Sequence, residues 1–360
     1  MSDAQADVIC AAGKRLSAEG LTSYSWGNIS LRGLHDGHRS FFITASGREC
    51  RVLQPKDILS VSLDDFSPIG CYPPDVKPSL ETRLHGYIYR RRDSAAAIVH
   101  THQLNASVAA CMPQGLGLPM AKYAAPGTEA LAAEADAALR EDGIVLLANH
   151  GIVCVGESMQ AAVDAAINAE NFCLQKLNEL APQLAPLRND VCRVIGVGGR
   201  ENVFAECGFP FADVLRTIYE ARKDAGYLLF AASRCIGQVA ENFAFAPSML
   251  DDAAQLAGAG FRSYGLMADG NFTRGSLNEL AAAAIDGDGV LLAPIGALCI
   301  GASKAQAAAA AGILHKNCRC LLETAAVGCI NPLPEEEAAA LRRFYKDVYL
   351  HRALGGQQPF

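Results

Sequence analysis

The sequence has no surplus of positive charge. Its 31 lysines and arginines stand against 38 acidic residues, for a formal net charge of −7. Such a chain has no electrostatic footprint for nucleic acid or for an anionic membrane surface. A long apolar run is also missing: alanine-rich stretches such as Ala305 to Ala311 are too short and too interrupted to span a bilayer. No signal peptide is legible, because Met1 to Asp7 is polar and puts Asp3 and Asp7 where a basic region is needed. Disulfide spacing is absent as well. The 13 cysteines lie in apolar runs such as Phe172-Cys173-Leu174 and Leu298-Cys299-Ile300. The one tight pair, Cys318-Arg319-Cys320, matches neither a redox nor a structural zinc motif. These absences predict a reduced cytoplasmic protein with buried thiols and no nucleic-acid or membrane partner.

What is present is core. At 360 residues, 51% hydrophobic and 19% charged, the chain has material for one large or two medium domains. Helical patterning is expected over Ala4 to Ala18, Thr82 to Arg92, Glu129 to Arg140 and Gln160 to Leu180. Short strands are expected at Gly27 to Leu31, Ser40 to Thr44, Ile58 to Ser62, Ala95 to Val99 and Gly143 to Ala148. Pro182 to Pro186 breaks the pattern and reads as a linker, giving domains 1–188 and 189–360.

Beyond the linker the chain repeats itself. Gly151, Cys154, Gly156 and Ser158 recur 145 residues later as Gly296, Cys299, Gly301 and Ser303. Asp142-Gly143 and Asp288-Gly289 precede the two blocks, and Ile88-Tyr89 recurs 130 residues on as Ile218-Tyr219. In this register Phe230, Ala232 and Ile295 take the places of His100, His102 and His150. The second half then reads as a truncated, metal-free repeat with no counterpart of residues 1 to about 75. Gly196-Val197-Gly198-Gly199 reads as a turn, and Arg342 to Leu350 as a packed C-terminal helix at a subunit contact.

Chemistry concentrates in the first half. His100 and His102 are two apart at the end of an expected strand, so both rings leave the same face. His150 follows a second apolar strand, with Gly151 permitting a tight approach. Glu81 stands at a helix start after Lys77-Pro78-Ser79. Three imidazoles and a carboxylate suit one divalent ion, zinc by preference. The plainer reading is hydrogen-bonded histidines at strand ends, the reading given to His35, His38, His85, His315 and His351.

With these residues stand Ser25-Trp26-Gly27-Asn28-Ile29-Ser30, Thr44-Ala45-Ser46-Gly47, Lys77-Pro78-Ser79-Leu80-Glu81, Gly127-Thr128 and Asn149-His150-Gly151. Together the ordered motifs, from about Ala4 to Leu180, resemble the class II aldolase and adducin family, which includes fuculose-phosphate aldolase and ribulose-phosphate 4-epimerase. The resemblance implies a three-layer α/β/α sandwich with a mixed, largely antiparallel central sheet, here partly duplicated. It implies one zinc ion per chain held by His100, His102 and His150, with Glu81 exchanging between ligand and base. It also implies a substrate or phosphate cradle of Gly27, Asn28, Thr44, Ser46, Gly47 and Ser79, in which Leu80 replaces a second serine. Arg48, after Gly47, is either an anion partner or an exposed turn residue.

The expected activity is that of a metal-dependent carbon–carbon lyase, of aldolase or decarboxylase type. It would act on a small hydroxy-carbonyl compound through a zinc-stabilised enediolate, in a homo-oligomer. The carboxylate of Glu81 would work from a partly dry site with its pKa raised. A sugar-phosphate epimerase and an adducin-like, non-catalytic binding protein are the alternatives.

Overall fold

A computed structural model describes residues 3–73, 76–200, 212–266 and 272–349. The chain forms two compact units, residues 1–180 and 181–360. Leu350, the end of the expected C-terminal helix, and His351 lie outside the described residues.

The first unit opens with α1 (Asp3–Ala18). The strands β1 (Asn28–His35), β2 (His38–Thr44), β3 (Ile58–Ser62) and β4 (Pro68–Ile69) form a meander, followed by α2 (Thr82–Arg91). Then come β5 (Ala97–Thr101), α3 (Leu104–Ala110), β6 (Met120–Ala121), α4 (Glu129–Ala138), β7 (Ile144–Leu147), β8 (Gly151–Gly156) and α5 (Met159–Leu180). The eight strands run in the order β4-β3-β2-β1-β5-β8-β7-β6. All pairs are antiparallel except β6 with β7.

Alternation along the strands makes the layers. Phe42, Ala97, Val99, Ile152 and Cys154 face a core completed by Ile9 and Leu16 of α1, Ala106 of α3, and Val163 and Cys173 of α5. Phe41, Ile43, Ile98, Val145 and Val153 face the opposite core, with Leu84 and Ile88 of α2 and Leu131 and Ala135 of α4. The result is the expected three-layer sandwich with a mixed, largely antiparallel sheet.

The second unit begins at Ala181. It contains α6 (Ala185–Arg188), β9 (Arg193–Gly199), α7 (Ala212–Ala221), β10 (Tyr227–Ala232), α8 (Arg234–Asn242), β11 (Phe245–Pro247) and α9 (Asp251–Ala257). After these come β12 (Gly260–Leu266), β13 (Phe272–Arg274), α10 (Leu277–Asp286), β14 (Gly289–Ala293), β15 (Gly296–Gly301), α11 (Lys304–Ala326) and α12 (Glu335–Phe344). Its sheet runs β11-β12-β14-β15-β10-β9, with β13 on β12. The stretch β12-β14-β15-β10-β9 has the strand order and directions of β6-β7-β8-β5-β1 in the first unit, including the single parallel pair, β12 with β14.

The register agrees with the sequence shifts. Val99 pairs with Cys154 in the first sheet, and Leu229 with Cys299 in the second. Two expectations are corrected here. Residues 196–199, read as a turn, lie inside β9, because Gly196, Val197, Gly198 and Gly199 all pair with β10. And β9 takes the place of β1, so the first 75 residues do have one strand-level counterpart. The unit starts before residue 188 because the Arg188 guanidinium bonds the Ala181 carbonyl and the Glu323 carboxylate. No helix among the described residues is long and apolar enough to cross a membrane.

Candidate metal centre

His100 is the fourth residue of β5. Ile98, two residues earlier, faces the core beneath α2 and α4, so alternation aims His100 to that side, toward the start of α2. His102 follows just past the strand end. His150 comes from the turn between β7 and β8, where Asn149 adopts φ 54° and donates its backbone N–H to the Ala110 carbonyl at 2.9 Å. Gly151 is required there: a Cβ would press on the Thr101 carbonyl and on the His100 and His102 rings. Glu81 is the residue immediately before α2, one turn from the helix interior.

These four side chains converge. The Nε2 atoms of His100 and His102 are 3.0 Å apart, and those of His102 and His150 3.1 Å. Glu81 puts Oε2 at 3.1 Å from His100 Nε2 and Oε1 at 3.2 Å from His150 Nε2. The three rings stand edge-on to one another, at 67°, 87° and 74°. His100 is 0%, His150 2% and Glu81 6% exposed.

The protonation pattern can be read at His100. Its Nδ1 lies 2.9 Å from the Ile152 carbonyl, which can only accept, so Nδ1 carries the proton and Nε2 presents a lone pair. That lone pair faces His102 Nε2 at 3.0 Å and the Glu81 carboxylate at 3.1 Å, and a cation placed among these atoms would satisfy all of them. Zinc–nitrogen bonds of about 2.0–2.1 Å put tetrahedral ligands about 3.3 Å apart, close to the separations here. The donor set therefore fits a divalent ion.

Burial pushes the Glu81 carboxyl up, but positive charge on the surrounding His100, His150 and His102 rings, when they are protonated in the absence of an ion, outweighs it and holds the group well below the usual carboxylate range. The expected upward shift is thus reversed. Asn28 Nδ2 also donates to Glu81 Oε2, at 2.7 Å. One turn along α2, His85 is buried, and burial pushes its pKa down to about 3. Ser30 Oγ lies 2.6 Å from His85 Nδ1 and 2.8 Å from the Tyr89 hydroxyl. His85 and His315 were expected at strand ends; both lie within helices, α2 and α11.

The residues assigned to a phosphate cradle are partly committed elsewhere. Gly27 has φ 92°, and a Cβ there would strike the His100 carbonyl. Thr44 Oγ1 accepts from the Ile29 N–H at 3.3 Å, and Ser79 Oγ from the Glu81 N–H at 3.2 Å. The Ser46 N–H donates to the Lys77 carbonyl at 2.9 Å, and Ala45 bridges Pro78. The turn carrying Ser46 and Gly47 is thereby zipped to the segment carrying Ser79. Arg48 pairs with Asp57 at 3.2 Å. The link between Asn28 and Glu81 was missed. So was the file Glu81, His85, Tyr89, whose spacing of four residues on a helix was the available signal.

Comparison with known proteins points the same way. Residues 7–177 match the Class II Aldolase and Adducin N-terminal domain. The chain is 31% identical over 177 residues to a 5-methylthioribulose-1-phosphate/5-deoxyribulose-1-phosphate aldolase of Rhodospirillum rubrum, covering 46% of this chain and 76% of that protein. It is 33% identical over 181 residues to a 5-deoxy-D-ribulose 1-phosphate aldolase of Bacillus thuringiensis, covering 46% and 81%. A 3-oxo-tetronate 4-phosphate decarboxylase of Escherichia coli is 29% identical over 163 residues, covering 40% and 73%.

Proposed function

This chain belongs to the class II aldolase and adducin family, and on that premise we propose that residues 1–180 form a metal-dependent lyase. Its substrate is a small hydroxy-carbonyl compound of the sugar-phosphate type, and it breaks the bond between the carbon next to the carbonyl and the carbon beyond it. The observation carrying this reading is the convergence of three Nε2 atoms and the Glu81 carboxylate within 3.0–3.2 Å contacts.

His100, His102 and His150 would hold the ion, with Glu81 as fourth ligand until substrate arrives. Zinc is the preferred metal, because a compact imidazole-rich set with one exchangeable position suits it. When bound, the ion supplies Lewis acidity to the substrate's carbonyl and neighbouring hydroxyl. Glu81, aimed by Asn28, takes the proton of the hydroxyl on the β carbon as the bond between the α and β carbons opens; the β carbon leaves as the aldehyde, and the proton returns to the α carbon of the enediolate. Because Asn28 fixes Oε2, Oε1 is the proton-carrying oxygen. The hydroxyls of Thr44, Ser46 and Ser79, with the backbone at Gly27 and Gly47, receive the phosphate end. Leu80 contributes an apolar wall in place of a second hydroxyl. Decarboxylation of a β-keto acid uses the same groups, and similarity to the Escherichia coli decarboxylase supports it as the second reading. We further read the chain as a cytoplasmic homo-oligomer.

The test is turnover of ketose 1-phosphates and 3-keto acid phosphates by metal-analysed protein, following aldehyde and carbon dioxide release separately. Glu81→Gln should fold normally and lose most turnover of whichever substrate works. Full metal content with no turnover and no epimerisation would favour the adducin-like binding role. Light scattering in solution checks the oligomer.

A further inference from the structure

We propose that the second unit has a metal site of its own, made by Asp190, Cys235 and His315 and suited to a thiophilic divalent ion such as zinc. It shares no residue with the site in the first unit.

The three side chains come from separate places: Asp190 from the segment after α6, Cys235 from the first turn of α8, and His315 from the middle of α11. One donor atom of each lies within 4.8 Å of the other two. Cys235 is 0% and His315 7% exposed, while Asp190 is half-buried and leaves that side open to water. Bonds of about 2.0–2.3 Å to nitrogen, oxygen and sulfur place tetrahedral ligands roughly 3.5 Å apart, so a closing movement of about 1 Å completes the set. A thiolate and a carboxylate together neutralise a divalent ion, and water takes the fourth position. The nearby Arg319 shares the Glu323 carboxylate with Arg188, and its positive charge favours the thiolate form of Cys235 while opposing a cation, so the two negative ligands are needed to hold the ion.

The first unit shows what normally occupies this place. The shifts that align the two sheets carry Asn105 to Cys235 and Glu170 to His315. In the first unit Glu170 caps α3, accepting from the Asn105 and Ala106 N–H groups at 2.8 and 3.0 Å. An imidazole cannot accept that pair. In the second unit the cap passes to Asp190, which accepts from the Cys235 N–H at 3.0 Å, and to Ser233, which accepts from the Ile236 N–H at 3.1 Å. The helix start is therefore satisfied without His315 or the Cys235 thiol. Ser233 Oγ also meets His315 Nδ1 at 2.9 Å, the contact that orients a ligand ring. The imidazole, the thiol and one carboxylate oxygen can therefore turn to an ion without unmaking the cap, the thiol giving up only its long contact with the Leu187 carbonyl at 3.8 Å.

The experiment uses the full chain, stripped of metal and titrated with Co²⁺ alone. A thiolate bound to cobalt gives a near-ultraviolet charge-transfer band, which the sulfur-free His100, His102, His150 and Glu81 set cannot produce. The band should appear in the parent protein and in His150→Ala, and vanish in Cys235→Ser. Asp190→Asn keeps an oxygen for the α8 cap while removing the charge, and should weaken the sulfur-bound cobalt roughly tenfold or more without unfolding. Added Zn²⁺ should bleach the band. Absence of the band at saturating cobalt, or its survival in Cys235→Ser, would overturn the site while leaving the reading of the first unit untouched.

Discussion

The Asn28 side chain donates to Glu81, Nδ2 to Oε2 at 2.7 Å, and in the sheet the same residue pairs directly with His100. One position on β1 thus lies beside His100 and aims the carboxylate. Hydrogen bonds to a charged group contribute about 1.5–3 kcal/mol, which corresponds to roughly one to two orders of magnitude in rate. Asn28→Ala should therefore lower kcat by that amount with KM nearly unchanged. Steady-state kinetics at matched metal content check this. A raised KM with kcat intact would instead return Asn28 to the phosphate cradle.

The meeting of His100 and His102 was legible because strand alternation is local: the pair needed only the period of two, and β3 lies where its residues predicted. Both sequence shifts reappear in strand pairing, His100 opposite Val153 and Phe230 opposite Leu298, an arrangement consistent with the expected repeat. What stayed hidden depends on distant partners. The glycine-rich β9 becomes a strand only by pairing with β10, and Arg188 joins the second unit through a partner 135 residues away. The direction of the Glu81 shift depended on how closely three imidazoles gather round it. No spacing in the sequence encodes that.

Gly151 sets how close β8 comes to the histidines. A Cβ would meet the Thr101 carbonyl, with the His102 and His100 rings at 3.3 and 3.4 Å. Gly151→Ala should cost about 1–3 kcal/mol by overpacking and lower metal affinity more than tenfold. Thermal melts and metal titration read the two effects. Gly237→Ala in α8 is the control: a Cβ there meets nothing within 4 Å, so it should be neutral or slightly stabilising.

Glu323 serves two buried guanidiniums. It accepts from Arg188 Nε and Nη2 at 2.9 and 2.7 Å and from Arg319 Nε at 2.8 Å. Removing it leaves both cations buried without their carboxylate, so Glu323→Ala should destabilise the chain by about 3–5 kcal/mol. Urea unfolding measures the loss. Replacing all three residues by leucine should recover much of it, because the penalty comes from stranded charge more than from lost attraction.

His85 gives a pH dependence whose sign follows from its burial. Burial lowers its pKa from 6.5 to about 3, so the native ring stays neutral where the unfolded ring is charged. Between those values the unfolded chain binds more protons, and stability rises with pH. The contribution is full above pH 6.5 and is lost as pH falls toward 3. At most one proton is involved, so the slope is at most about 1.4 kcal/mol per pH unit. Carboxylates add slopes of their own, so the quantity to compare is parent against His85→Gln, both free of metal. Glutamine offers Ser30 a partner but does not titrate, and the variant should show the shallower fall in urea midpoint between pH 6.5 and 4. Equal slopes in the two proteins would mean that His85 is protonated in the native state, paired with the nearby Glu81 rather than held neutral beside Ser30.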